Sequence, residues 1–111
     1  MGPMIFPAYR YRATLVKVLD GDTVRLDVDL GFHATIRVDI RIRGIDTPER
    51  GEPGWAEAGG FTLRMLQEAT AITVETFRDR QSFARWIGDI YVDGTSLAEL
   101  IDGNLQLPEA T

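Results

Sequence analysis

Alternation of apolar and polar residues predicts two neighbouring β-strands in the first half of the chain. Residues 23–30 and 34–43 each place an apolar side chain at every second position. This period is typical of a strand with one face in a protein core. We therefore expect the inward positions to be Val24, Leu26, Val28 and Leu30 in one strand, and Ile36, Val38, Ile40 and Ile42 in the other.

The other elements follow from β-forming residues, turn residues and helical spacing. Residues 11–19 favour a strand, and Asp20-Gly21-Asp22 favours a hairpin turn after it. Gly59-Gly60 would fray the first turn of the first helix or allow very close packing. The sequence further predicts a helix over residues 55–71, strands over 72–77 and 86–92, and a helix over 96–102 that is capped by Ser96 and stopped by Gly103.

This order of elements predicts a mainly β fold with two helices. Five short strands, with a helix between the third and the fourth, match a five-stranded Greek-key barrel of the OB-fold type. Such barrels commonly bind oligonucleotides, although a fold alone does not determine a function. We interpret residues 11–104 as one domain, residues 1–10 as a lead-in with a candidate cloning remnant at 1–3, and residues 105–111 as a tail.

Composition narrows the chemistry. The 111 residues are 44% hydrophobic and contain no cysteine, which excludes disulfides, zinc–thiolate sites and a cysteine nucleophile and argues against disorder. With His33 as the single histidine, a metal site would need oxygen ligands, as calcium, magnesium and manganese prefer. No apolar run is long enough to span a membrane. No signal peptide is recognisable, so a cytoplasmic location is the default expectation.

The charge distribution gives a mixed indication about partners. A net charge of −5 argues against a generic nucleic-acid binder, which is usually basic. The excess of acid lies in residues 56–111, whereas residues 1–55 carry equal numbers of acidic and basic side chains. Lys17 is the only lysine, and the arginine fork of the other basic residues suits phosphate.

Two acidic turns are the strongest candidates for a metal site. Asp20-Gly21-Asp22-Thr23 and Ile45-Asp46-Thr47-Pro48-Glu49 each follow a predicted strand. If these turns converge, repulsion between their carboxylates would be relieved by a hard divalent cation. Each motif alone is more often an ordinary turn or a helix start.

Two arginines extend this hypothesis towards phosphodiester chemistry. Arg41 precedes the second acidic turn, and Arg85 precedes the fifth predicted strand. Guanidinium groups beside a metal–carboxylate cluster could stabilise negative charge on a phosphoryl group. Glu49 could then activate water as a general base. Each arginine alone is more often a surface residue.

The combined motifs resemble the staphylococcal nuclease (thermonuclease) family. The resemblance rests on residues 13–24, on residues 41–49, and on Arg85 followed by residues 90–94, in the family's order and with similar spacing. It implies calcium-dependent hydrolysis of DNA and RNA, preferably single-stranded, to 3′-phosphate products. Magnesium and manganese remain alternatives to calcium.

The resemblance also implies individual roles. Asp22 and Asp46 fall on the calcium-binding carboxylates, and Thr47 falls on the position whose backbone carbonyl completes the site. Asp20 falls on an acid of the outer metal shell. The remaining roles are phosphate binding by Arg41 and Arg85, general-base catalysis by Glu49 and base stacking by Phe83. Independently of the resemblance, the strand alternation makes Arg43 an outward strand residue in the first place, with a contact in a nucleic-acid groove as the alternative.

Several departures from the family are visible. Phe83 replaces a tyrosine and Ser82 replaces a lysine, the loop at residues 50–54 is short, and the family's third helix has no counterpart. We therefore expect weaker substrate affinity with a strong salt dependence. Apolar surface left uncovered could support an oligomer. The alternatives to an enzyme active alone are a non-catalytic module that binds nucleic acid or protein, and a nuclease active only within a larger assembly.

Overall fold

Antiparallel strands make up most of the structure, a computed structural model that describes residues 9–76 and 86–104. The strands in these ranges are β1 (Tyr9–Asp20), β2 (Thr23–Gly31), β3 (Ala34–Ile42), β4 (Ile72–Thr76), β5 (Trp86–Val92) and β6 (Thr95–Ser96). The helices are α1 (Trp55–Glu68) and α2 (Leu97–Asn104). The predicted succession of elements is confirmed, with the two-residue β6 as an addition.

Strand pairing closes the sheet into a barrel. β2 pairs antiparallel with both β1 and β3, β1 pairs with β4, and β4 pairs with β5. A parallel pairing of β3 with β5 over residues 40–42 joins the two ends. The result is a closed, mixed barrel of five strands with two helices, which confirms the predicted mainly β, OB-like fold.

The barrel core follows the alternation of the sequence near the closure. Val24, Leu26, Ile40 and Ile42 are all at most 1% exposed. Helix α1 covers the barrel with a buried face, and α2 contributes Leu97 and Ile101. Burial of such side chains is the main stabilising contribution to a fold of this size.

The far end of the β2–β3 hairpin departs from the prediction. Leu30 and Ile36 were expected inside, yet they are 42% and 48% exposed, so that expectation is wrong for both. β3 pairs with β5 only over residues 40–42, and the described strands leave the hairpin uncovered beyond that point. Residues 30–36 are called the hairpin apex below.

A tertiary contact, rather than local preference, sets the C-terminal end of α1, whereas a local cap precedes α2. Helix α1 stops at Glu68 instead of residue 71, because the Asp93 carboxylate accepts hydrogen bonds from the backbone N–H groups of Thr70 and Ala71. The predicted stop at Gly103 is wrong, since α2 continues to Asn104. The Ser96 cap is confirmed by a 3.3 Å bond from the Glu99 N–H to Ser96 Oγ. Neither of these helices is long and apolar enough to cross a membrane.

Glycines in α1 behave differently from the prediction. Gly59 and Gly60 lie inside a continuous helix, and a Cβ built at either one would meet no atom of the described residues within 4 Å. The expectation of close packing at this pair is therefore wrong. The close approach instead occurs at Gly21, where a Cβ would lie 2.7 Å from the Ala58 Cβ.

Candidate active site

The turn between β1 and β2 presents Asp22 in a nearly buried position. Its carboxylate accepts a bond from the Thr23 hydroxyl at 2.9 Å and another from the Thr47 backbone N–H at 2.9 Å. Its own carbonyl accepts the Ile42 N–H at 2.7 Å. A buried carboxylate is costly unless it is hydrogen-bonded, and these bonds satisfy that requirement while fixing the direction of the side chain.

Arg41 lies next to Asp22 because β2 pairs with β3 in a register that places Thr23 opposite Arg41. Its Nη1 is 3.4 Å from Asp22 Oδ2, and its Nη2 is 3.3 Å from Asp46 Oδ1. Nη1 also donates to the carbonyl of Ile45 at 2.9 Å. Arg41 therefore brings together two acidic residues that the sequence places in separate turns.

The two carboxylates around Arg41 differ in their access to solvent. The Asp22 side chain is 7% exposed, whereas that of Asp46 is 88% exposed. An exposed ion pair is weakened by solvent and salt, and a partly buried pair much less so. The site thus combines a fixed inner carboxylate with an outer carboxylate that is open to a ligand.

Asp20 and Glu49 are not part of this cluster. Asp20 Oδ1 accepts a 2.7 Å bond from the Trp55 indole N–H. Glu49 is exposed, its backbone N–H donates to Glu52 Oε1, and its carboxylate has no hydrogen bond to another described residue. In the described ranges, no group of three or more His, Asp or Glu side chains could hold a metal ion. The structure therefore joins two of the four carboxylates that were expected to converge.

The donor atoms of the cluster nevertheless suit a hard cation. Thr47 Oγ1 is buried and has no hydrogen-bond partner among the residues that the structure describes, and such orphaned polar atoms are rare in folded proteins. It belongs to the same short segment as Asp46, beside the Asp22 carboxylate. Carboxylate and hydroxyl oxygens fit calcium, magnesium or manganese, and water can complete the coordination of each.

The other predicted site residues have different surroundings. Arg43 forms a two-bond ion pair with Asp89 on β5, with distances of 3.2 and 2.9 Å. Its exposed side chain lies beside an open groove of about 640 Å³ that Tyr91 and Ser96 also line. Phe83 and Arg85 lie outside the described residues, as does Ser82.

Trp55 is a site neighbour whose contact the sequence analysis missed. It opens α1, and its ring lies under the Arg50 guanidinium with 5.4 Å between the Arg50 Cζ and the ring centroid. The pattern of hydrophobic residues predicts neither the bond to Asp20 nor this ring contact. The Asp20 bond joins residues that only the folded chain brings together.

Part of the chain is similar in sequence to a known protein. Over 60 residues, the chain is 40% identical to a protein of Oryza sativa subsp. japonica named "Probable staphylococcal-like nuclease CAN1". The match covers 54% of this chain and 18% of that protein, so the chain spans less than a fifth of the relative. No protein-family model matches. The similarity supports a relation to staphylococcal-like nucleases and, coarsely, a nuclease-type function.

Proposed function

We propose that the protein is a metal-dependent nuclease that hydrolyses phosphodiester bonds in single-stranded DNA or RNA and leaves 3′-phosphate ends. The observation that carries the proposal is the position of Arg41 between Asp22 and Asp46, at 3.4 and 3.3 Å. A phosphate-binding group thereby adjoins oxygen donors suited to a hard cation. The partial similarity to a staphylococcal-like nuclease supports the same proposal.

The cation in this proposal is calcium, with magnesium and manganese as alternatives. The Asp22 and Asp46 carboxylates would hold it, together with the Thr47 backbone carbonyl, and the buried Thr47 Oγ1 is a further oxygen donor in the same segment. A bound divalent ion supplies Lewis-acid polarisation of a phosphoryl oxygen. Asp22 is the anchoring ligand of the pair, since its side chain is fixed by the Thr23 and Thr47 bonds.

The protein side chains provide phosphate binding and proton transfer. Arg41 binds a non-bridging phosphate oxygen, with its bond to the Ile45 carbonyl keeping the guanidinium in place. Glu49 accepts a proton from water as the water oxygen attacks phosphorus and the bond from phosphorus to the 5′ oxygen breaks. That oxygen then takes a proton from solvent. Arg85 would bind a second phosphate oxygen, and Phe83 would stack on a base.

The decisive experiment is cleavage of single-stranded DNA and RNA at low salt with calcium, with magnesium and with chelator. Glu49→Gln and Arg41→Lys should each reduce the metal-dependent rate by about 100-fold or more, because each removes a transition-state interaction. Arg37→Lys is the matched control. Arg37 is also on β3, but it pairs with Asp27 towards the hairpin apex, and its replacement should leave the rate unchanged.

Two results would contradict the proposal. One is absence of cleavage with every metal while the protein is shown to be folded. The other is cleavage that survives both site variants. In the first case, fluorescence anisotropy with the same oligonucleotides would show whether the folded protein binds nucleic acid without cleaving it.

A further inference from the structure

One face of α1 holds the acidic turn at residues 20–22 through three contacts. The contacts come from Trp55, Ala58 and Thr62, whose spacing places them on the same side of a helix. The Trp55 indole N–H donates to Asp20 Oδ1 at 2.7 Å, and the Thr62 hydroxyl donates to the Gly21 carbonyl at 2.7 Å. Ala58 packs directly against Gly21. The turn therefore cannot move independently of α1.

The three contacts differ in depth. Ala58 and Thr62 are fully buried, so their contacts belong to the core. Trp55 is only partly buried at the first residue of the helix. Its N–H group can therefore be removed by substitution without opening the core, which separates its role from that of the other two.

The turn needs this outer contact because the strand ladder is irregular there. The pairing of β1 with β2 shifts register between Val18 and Asp20. Such an irregularity weakens the backbone bonds that would otherwise fix the end of a strand. The bond to Trp55 supplies a restraint on Asp20 two residues before Asp22.

Trp55 also contacts the second loop of the site. Arg50 lies over its ring at 5.4 Å, and Arg50 directly follows the segment that contains Asp46, Thr47 and Glu49. A cation over an indole ring is a favourable contact. The indole thus contacts the acidic turn through Asp20 and, through Arg50, the residue that follows the second acidic segment.

We infer that Trp55 is a positioning residue that sets the geometry of the metal and phosphate site by tethering Asp20, an inference that rests on the proposed nuclease function. In this arrangement Asp20 acts through its hydrogen-bond acceptor rather than through its charge. This assignment differs from a role for Asp20 in the outer shell of the metal, where the negative charge itself would matter.

Three variants separate the tether from the charge. Trp55→Phe removes the donor and keeps a ring, Asp20→Ala removes the acceptor, and Asp20→Asn keeps an acceptor oxygen but loses the charge. Calcium affinity, measured by titration calorimetry with calcium chloride, should fall about tenfold in the first two variants, as for other outer groups that orient metal ligands. Asp20→Asn should stay within about twofold of the parent protein.

A second readout works on the metal-free protein. The Thr47 amide is bonded to Asp22 Oδ2, so its hydrogen exchange reports whether Asp22 is held in place. Exchange of this amide should accelerate about tenfold in Trp55→Phe and Asp20→Ala but not in Asp20→Asn. Exchange of the Val74 amide, on a buried strand, shows whether the whole fold has loosened instead.

The two readouts give separable outcomes. Impaired calcium binding in Asp20→Asn with normal behaviour of Trp55→Phe would overturn the tether and assign Asp20 a charge role. Unchanged Thr47 exchange in both tether variants would also overturn it. A parent protein that neither binds calcium nor cleaves nucleic acid would refute the proposed function, while the exchange experiment would still decide whether Trp55 positions Asp22.

Discussion

The two ends of the β2–β3 hairpin share the same strands and the same alternation, yet they have opposite environments. At the closed end, Ile40 and Ile42 are buried and Asp22 is held by three hydrogen bonds. At the apex, Phe32 is fully exposed, and both Phe32 and His33 have positive φ. The candidate chemistry lies at the closed end.

Coverage by other elements explains this difference. The β5 pairing and the α1 face cover the closed end, and neither extends to the apex. Alternation shows which side chains share a face of a strand, but it cannot show how far along the strand that face is covered. A regular pattern therefore predicts the strand and overestimates the core.

The ion pairs at the two ends of the hairpin differ in the number of partners that each arginine has. Near the apex, Arg37 donates to both oxygens of Asp27 at 2.8 and 3.1 Å, so the pair is self-contained. At the closed end, Arg41 is shared between Asp22 and Asp46 and two backbone carbonyls. Arg41 contacts only Oδ1 of the exposed Asp46 carboxylate, so the second oxygen of Asp46 is open to a ligand, whereas Arg37 engages both oxygens of Asp27.

The largest expected contrast is in side-chain truncation along β3. Ile40→Ala should destabilise the protein by about 2–5 kcal/mol, because it removes buried methyl groups and leaves a cavity. Ile36→Ala, at the same face but half exposed, should cost less than about 1 kcal/mol. Urea unfolding of both variants measures the difference. Equal losses would mean that the apex is covered in solution.

Glycine substitution gives the next contrast. A Cβ at Gly21 would lie 2.7 Å from Ala58 Cβ and 2.9 Å from Thr47 Oγ1, so Gly21→Ala should cost about 1–3 kcal/mol through overpacking. It should also lower nuclease activity, since Asp22 follows directly. A Cβ at Gly31 would meet no atom within 4 Å in the described part of the chain, but the backbone there has a φ of +81°. Gly31→Ala should therefore cost about 1 kcal/mol through backbone strain and leave activity unchanged. Thermal unfolding and the cleavage rate, measured together, test both statements.

Relief of strain at the apex should stabilise the protein. Phe32 and His33 occupy the left-handed region, with φ of 56° and 60°, which Asn-Gly adopts readily in a two-residue hairpin turn. The double variant Phe32→Asn with His33→Gly should gain about 1–2 kcal/mol and leave cleavage unchanged. A loss of stability would show that Phe32 contributes packing energy despite its exposure.

The smallest effect concerns the exposed Asp27–Arg37 pair. Its hydrogen bond to Arg37 lowers the pKa of Asp27 below the ordinary value of 3.8. The stabilisation from this pair is therefore present above that value and is lost as pH falls through the lowered pKa. The melting temperature of Asp27→Asn should lie slightly below that of the parent at about pH 7, and the gap should close once the pH falls below the lowered pKa of Asp27. High salt at neutral pH should also narrow the difference in melting temperature. A difference that changes with neither pH nor salt would contradict an electrostatic origin.

Part of the candidate site was predictable because its residues sit beside predicted strand ends. Asp22 and Arg41 meet through the β2–β3 register, which follows from the hairpin pattern. Asp46 lies in the loop directly after β3 and so stays near Arg41. The bond between Asp20 and Trp55 was not predictable, since it depends on how α1 crosses the barrel. The roles of Arg85 and Phe83 remain predictions, because both lie outside the described residues.

Local chemistry in the chain was sufficient for the strands, the acidic turns and the exclusion of thiolate chemistry, because period, turn residues and composition act over short distances. Tertiary structure alone decided the extent of the core, the C-terminal end of α1 and the bond between Trp55 and Asp20. The Asp93 carboxylate binds the N–H groups that follow α1, and the Trp55 indole binds Asp20. These contacts join segments far apart in sequence, so they exist only once the barrel has closed and brought its surfaces together.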